Sequence, residues 1–122
     1  REELTAMAPR AVLRAAMLKL SHGGTKVELG PDVNLYTFGR DAQSDMAIAD
    51  RMASRQHARI ERRRDKFVLI DHSTNGTFCT VEGEKEIELR REEFTLRGRG
   101  RISFGHGYDE DPSETVEFDT GS

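Results

Sequence analysis

What most constrains this chain is its punctuation. Beyond residue 26 the apolar stretches are short, and turn residues break them about every 8–12 positions, as in proteins built from many short strands. Gly30-Pro31-Asp32, Arg63-Arg64-Asp65, Asn75-Gly76 and Glu82-Gly83-Glu84 all carry turn chemistry. Between them, residues 34–38, 46–48, 57–62, 66–71, 77–81, 87–89, 94–96, 101–104 and 115–118 read as strands, most of them alternating with period two. Residues 15–20 are rich in helix formers, but the turn at 21–25 and the alternation of Lys26-Val27-Glu28-Leu29 favour a hairpin over 14–29. No segment after Gly30 shows the i, i+3, i+4 apolar stripe of a surface helix. The pattern predicts an all-β sandwich of about ten short strands. The run Phe67-Val68-Leu69-Ile70 does not alternate and predicts a strand buried on both faces. Thr37, Phe38, Ile60, Leu69 and Phe78 are assigned to the core.

A chain of 122 residues fits one domain. Residues 1–10 read as a linker or part of a parent protein, and 11–120 as the domain. The chain opens on Arg1 without an apolar leader, so a fragment of a longer, cytoplasmic protein is expected. No apolar run approaches the ~20 residues of a membrane-spanning helix. The single cysteine, Cys79, excludes an internal disulfide and a thiolate-rich zinc site, and in mid-strand it reads as inert packing. The net charge of −3 argues against sequence-blind nucleic-acid binding. Arg62-Arg63-Arg64 then reads as a solvated turn, and Arg97, Arg99 and Arg101 as exposed charges. The histidines 22, 72 and 106 read as solvated loop residues. The acidic stretch 106–113 reads as an exposed loop without an assigned role.

The turns carry more information than the strands. In order they contain Phe38-Gly39-Arg40, then Ser54-Arg55-Gln56-His57, then Thr74-Asn75-Gly76-Thr77. Arg40 offers a planar fork for phosphate oxygens, Ser54 and Thr74 offer hydroxyl donors, and Arg55 offers a second cation or a backbone N–H. Asn75 can donate to and accept from a peptide main chain. Such a set without a general base binds; it does not react. Ser54, His57 and Asp71 could be written as a hydrolase triad, but no G-x-S-x-G elbow surrounds Ser54. No phosphate-cradling glycine loop and no H-E-x-x-H pair is present, so no enzyme activity and no cofactor or metal is expected.

The ordered set Gly-Arg, Ser-x-x-His, Asn-Gly-Thr resembles the signature of the forkhead-associated (FHA) domain, over roughly residues 11–120. The resemblance implies an FHA/SMAD-like sandwich of two sheets and about eleven strands, with binding loops at one end. It implies a phosphothreonine-peptide-binding signalling module. Arg40, Ser54 and Thr74 would take the phosphate, Arg55 would assist, and Asn75 would hold the peptide backbone. Gly39, His57, Gly76 and Thr77 would support the site. The partner would be a phosphothreonine-containing protein, with no nucleic acid and no membrane, and the domain a monomer or weak dimer. Two alternatives remain open. One is a phospho-independent interaction or dimerisation domain. The other is a regulatory domain of a bacterial enzyme such as a nucleotide cyclase. The sequence departs from the family at Thr80-Val81-Glu82-Gly83 and at Arg99-Gly100, where an altered turn is expected.

Overall fold

The computed structural model describes residues 16–121. Among them there is no helix, and eleven strands follow one another along the chain: β1 Leu18–His22, β2 Thr25–Leu29, β3 Leu35–Gly39, β4 Met46–Ala47, β5 Ala58–Arg63, β6 Lys66–Asp71, β7 Thr77–Val81, β8 Ile87–Leu89, β9 Glu93–Thr95, β10 Arg99–Phe104 and β11 Val116–Asp119. They form a six-stranded sheet in the order β2-β1-β11-β10-β7-β8 and a five-stranded sheet in the order β4-β3-β5-β6-β9. Pairing is antiparallel except between β3 and β4.

Period-two alternation turns one set of side chains from each sheet into a shared interior. Leu18, Leu20, Ile102, Phe104, Val116 and Phe118 come from one sheet, and Phe38, Ile60 and Leu69 from the other. The rings of Phe38 and Phe104 meet across the gap with centroids 5.3 Å apart. Full burial of each such side chain contributes about 1.5–3 kcal/mol. β6 is buried throughout from Phe67 to Ile70, as its unbroken apolar run predicts. Phe67 and Leu69 face the core, while Val68 and Ile70 lie on the opposite face beside Arg59, Glu61, Glu93 and Thr95. There Glu61 pairs with Arg59 (2.8 Å) and Arg63 (3.0 Å), and Arg63 reaches Glu93 (2.9 Å).

Register decides where the loops emerge. Phe38 lies opposite Ala58, and Ala58 opposite Asp71. Phe104 lies opposite Thr77, Ile102 opposite Val116, and Ser21 opposite Glu117. The connections 40–45, 48–57, 72–76 and 105–115 therefore leave the sandwich at one end, together with the β1–β2 turn.

Several expectations need correction. Thr37 and Phe78 are half-buried, not core. Alternation along β7 sends Thr77 and Cys79 inward and Phe78 outward, while Thr37 Oγ1 donates to Asp45 Oδ2 at 3.1 Å. Residues 14 and 15 of the hairpin, residues 1–10 and the start of the 11–120 span lie outside the described residues. Arg99-Gly100 is no turn: both residues belong to β10, and the turn falls earlier, at Gly98 with φ 59°.

Candidate functional site

The end of β3 is zipped to the segment before β5. The N–H groups of Arg40 and Asp41 donate to the carbonyls of Ser54 (2.9 Å) and Arg55 (3.1 Å), and His57 N–H donates to Phe38 O (2.9 Å). Contact is so close that a Cβ on Gly39 would lie 2.0 Å from Arg55 O, so only glycine fits. The zipper brings Arg40 beside the 48–57 connection, where its Nε donates to Ala53 O at 2.9 Å. The guanidinium is thereby tethered through one nitrogen to the residue preceding Ser54. Arg40 does not pair with its acidic neighbours: Asp41 caps Gln43 N–H, and Asp45 caps Thr37.

The third loop docks onto the same segment. Thr74 N–H donates to Ser54 Oγ at 3.0 Å, and Asn75 Nδ2 donates to Met52 O at 3.0 Å. Ser54, Thr74 and Asn75 are thus brought together, with Arg40 one residue away through Ala53. Arg40, Arg55 and Thr74 are exposed, and Ser54 and Asn75 half-buried. Among the described residues no carboxylate pairs with Arg40 or Arg55, and neither the Ser54 hydroxyl proton nor the Thr74 hydroxyl has an acceptor in the protein. A tethered cation and two hydroxyl donors on one rim, with a second exposed arginine next to Ser54 in the chain, can neutralise and hydrogen-bond a dianion.

The loop's rigidity comes from Asp71, which the sequence reading used only as a possible catalytic acid. Asp71 is 2% exposed. Its Oδ1 accepts from Ser73 Oγ and Thr77 Oγ1, both at 2.6 Å, and its Oδ2 accepts from Arg91 N–H at 2.9 Å. Burial pushes this carboxyl up, but the hydrogen bonds from Arg91, Ser73 and Thr77 outweigh it and hold the group below the usual carboxylate range. Ser73 Oγ in turn accepts from Gly76 N–H at 2.8 Å, and Gly76 turns the chain at φ 95°. The Asp-x-Ser spacing was a signal for this turn, but the reach to Thr77 and Arg91 was not visible.

His57 is fully buried, with its ring edge-on to Phe104 at 5.3 Å. Its Nδ1 accepts from Ser54 N–H (2.9 Å), and its Nε2 donates to Gly76 O (2.8 Å). One ring thus ties the second loop to the third, and this pairing requires a single proton on Nε2. Burial lowers its pKa despite the Gly76 contact, so it stays neutral. With Nδ1 committed to a backbone N–H and Asp71 to its own turn, the Ser54-His57-Asp71 triad does not assemble. Cys79 is buried and its thiol is pushed up to about 12, as inert packing requires.

The three histidines expected to be solvated are half-buried, and two of them are paired. His106 Nε2 meets Asp50 Oδ2 at 2.5 Å, and His22 Nε2 meets Glu114 Oε1 at 2.9 Å. Glu114 Oε1 also accepts from Ala49 N–H at 2.8 Å, so the 105–115 connection grips the 48–57 connection twice. His72 is half-buried, and its Nε2 has no partner. Asp50, His106 and Asp111 each bring one donor atom within 4.8 Å of the others, but both ring nitrogens of His106 are already hydrogen-bonded and the group is an ion-pair cluster. Four of the arginines elsewhere are occupied: Arg62 reaches Ala16 O, Arg97 and Arg99 pair with Glu84 and Glu82, and Arg101 stacks on Tyr108 at 3.6 Å. A cleft of about 780 Å³ lies on the outer face of the six-stranded sheet and mixes Lys19, Lys26 and Arg99 with Glu28 and Glu117.

The family model of the FHA domain matches residues 36–105, the stretch that carries all three loops. The chain belongs to the FHA domain family. FHA domains are non-catalytic binding modules. No curated protein matches the chain. Among solved structures it is similar to the FHA-1 domain of Rv1747 from Mycobacterium tuberculosis, at 18% identity and TM-score 0.65 over 88% of this chain and 99% of that one. It is also similar to EmbR of Mycobacterium tuberculosis in complex with a low affinity phosphopeptide, at 22% identity and TM-score 0.65 over 96% of this chain and 30% of that one. A third is the FHA domain of CT664 from Chlamydia trachomatis, at 21% identity and TM-score 0.64 over 87% and 99%. At these identities the likeness establishes the fold.

Proposed function

We propose that this FHA domain is a phosphothreonine-dependent peptide-binding module, the recognition part of a larger cytoplasmic signalling protein. One observation carries the reading: the exposed Arg40 guanidinium, without a carboxylate partner among the described residues and tethered through Nε to Ala53 O, forms one rim with the hydroxyls of Ser54 and Thr74, and the exposed Arg55 follows Ser54 in the chain. A phosphate at neutral pH carries about −1.5 to −2 charges and three acceptor oxygens, and it matches that rim. Arg40, Ser54 and Thr74 hold the phosphate, and Arg55 assists. Asn75 keeps its Oδ1 and one amide proton for the peptide main chain, the other proton being held by Met52 O. Gly39, His57, Gly76 and Thr77 set the loops. The likeness to EmbR, solved with a phosphopeptide, supports the same reading. The domain spans residues 11–120, with 1–10 linking it to its parent.

The test is a fluorescence-polarisation screen of oriented peptides in phosphothreonine, phosphoserine and unmodified forms, with Arg40→Ala as control. Micromolar affinity for phosphothreonine, on the order of −7 to −8 kcal/mol, is expected. Equal binding of phosphorylated and unmodified peptides overturns the reading.

A further inference from the structure

We propose that Asp50 and His106 are positioning residues for this site: a charged pair that holds the 48–57 connection in the geometry Arg40 and Asn75 need. The proposal rests on the phosphopeptide reading above.

Hydrogen-bond inventory makes the pair charged. His106 Nδ1 faces Gly107 O at 2.9 Å, and Nε2 faces Asp50 Oδ2 at 2.5 Å. A carbonyl and a carboxylate only accept, so both ring nitrogens must donate and the ring is an imidazolium. His57, a few residues from Asp50, faces one donor and one acceptor and is neutral. Burial by itself would lower the pKa of His106, but the Gly107 carbonyl and the Asp50 carboxylate prevail and raise it. The surroundings agree in sign. Glu110 and Asp111 face the ring from its own connection, and Asp50 from the 48–57 connection, with Arg51 as the one cation lining the same cavity. Glu86 approaches from the β7–β8 connection, where its Oε2 accepts from Tyr108 N–H at 3.0 Å.

From Asp50 the path to the site is short. Its Oδ1 caps Met52 N–H (2.9 Å), and its carbonyl accepts from Ala53 N–H (3.0 Å). The carbonyls of those two residues are the ones that orient Asn75 and Arg40, at 3.0 and 2.9 Å. Loss of the charge on His106 leaves Asp50 Oδ2 or Gly107 O facing a bare nitrogen, and the turn 50–53 loosens. The pair is complete below about pH 6.5 and is lost as pH rises through the raised pKa of the folded state.

The phosphate itself titrates near pH 6 and gains charge as pH rises, so affinities must be compared as ratios. Dissociation constants for one phosphothreonine peptide are measured from about pH 5.5 to 9, with EDTA present, for the wild type, Asp50→Asn and His106→Gln. In Asp50→Asn the carboxamide can donate to a neutral ring, so the contact survives without its charge. The wild type is expected to bind roughly five-fold more tightly than His106→Gln near pH 6, with the ratio falling towards one near pH 9, whereas Asp50→Asn, which keeps the contact to a neutral ring, is expected to match the wild type near pH 6 and to bind more tightly than it near pH 9. A ratio that does not change with pH is what a merely structural pair would give, and it overturns the proposal. NMR of the peptide-free protein decides the matter independently. The Ser54 amide and Asn75 side-chain resonances should titrate with the midpoint of the His106 ring in the wild type and not in Asp50→Asn. A ring that titrates while those resonances stay fixed refutes the positioning role. Failure of every peptide to bind at any pH defeats the phosphopeptide reading and leaves this NMR result standing.

Discussion

At the residue scale the site depends on groups held by one bond and open at the others. Arg40 is exposed and bound to the protein only through Nε, so Arg40→Ala should leave the melting temperature nearly unchanged. It should weaken phosphopeptide binding by about 2–5 kcal/mol, the range for removing one partner of a desolvated charge contact; titration calorimetry against the wild type measures this. Gly39→Ala should do the reverse. Its new Cβ would press on the Arg55 backbone, 2.0 Å from O and 2.8 Å from C, and no side-chain rotamer relieves that. A loss of roughly 1–3 kcal/mol in urea unfolding is expected, and an alanine tolerated within about 0.5 kcal/mol would refute the close-approach argument. That Arg40, Ser54, Thr74 and Asn75 come together was legible because their short motifs sit at loop positions. Their tethers were not legible. Nothing in Met52 or Ala53 marks these residues as the carbonyls that aim Asn75 and Arg40, and Asp50 lies 56 positions from the histidine it pairs with.

At the scale of elements, strands were easier to read than their ends. β6 and β7 match the sequence expectation residue for residue, because turn residues bound both of them. β10 begins two residues before its expected start, because the glycine at 100 looked like a break and is instead a paired strand residue facing Val81 and Phe118. A Cβ there would strike Thr80 O at 2.1 Å, so that glycine serves packing rather than turning. The connection between β6 and β7 is the element on which the proposed binding depends, and a buried carboxylate, Asp71, organises it. Thr77→Val keeps the volume but removes the hydroxyl that Asp71 Oδ1 accepts at 2.6 Å. It should cost about 1.5–3 kcal/mol, the range for a hydrogen bond to a charged group. It should also weaken phosphopeptide binding, since Thr74 and Asn75 ride on that turn. Hydrogen exchange confined to residues 72–77 would locate the effect, and full protection there would count against it.

At the scale of the whole molecule, the titrating groups oppose one another, and stability should peak instead of levelling off. Burial lowers the pKa of His57 and of His72, so below pH 6.5 the unfolded chain binds protons that the native one refuses, and stability falls with acid. Asp71, held below the usual carboxylate range against the burial that opposes it, adds a further loss below about pH 4. His106 acts in the other direction. Its pKa is raised, so between 6.5 and that higher value the native state keeps a proton the unfolded chain has released, and stability falls as pH rises. Cys79, pushed up to about 12, extends this decline, but only above the ordinary thiol range. The melting temperature should therefore be highest near pH 6.5 and decline on both sides. His106→Gln should flatten the limb between about pH 6.5 and 8.5, where no other shifted group titrates, and leave the acid limb intact. A calorimetric scan in which that variant retains the wild-type slope above pH 6.5 would show that His106 carries no net charge in the native state, and the imidazolium between Asp50 and Gly107 would have to be abandoned.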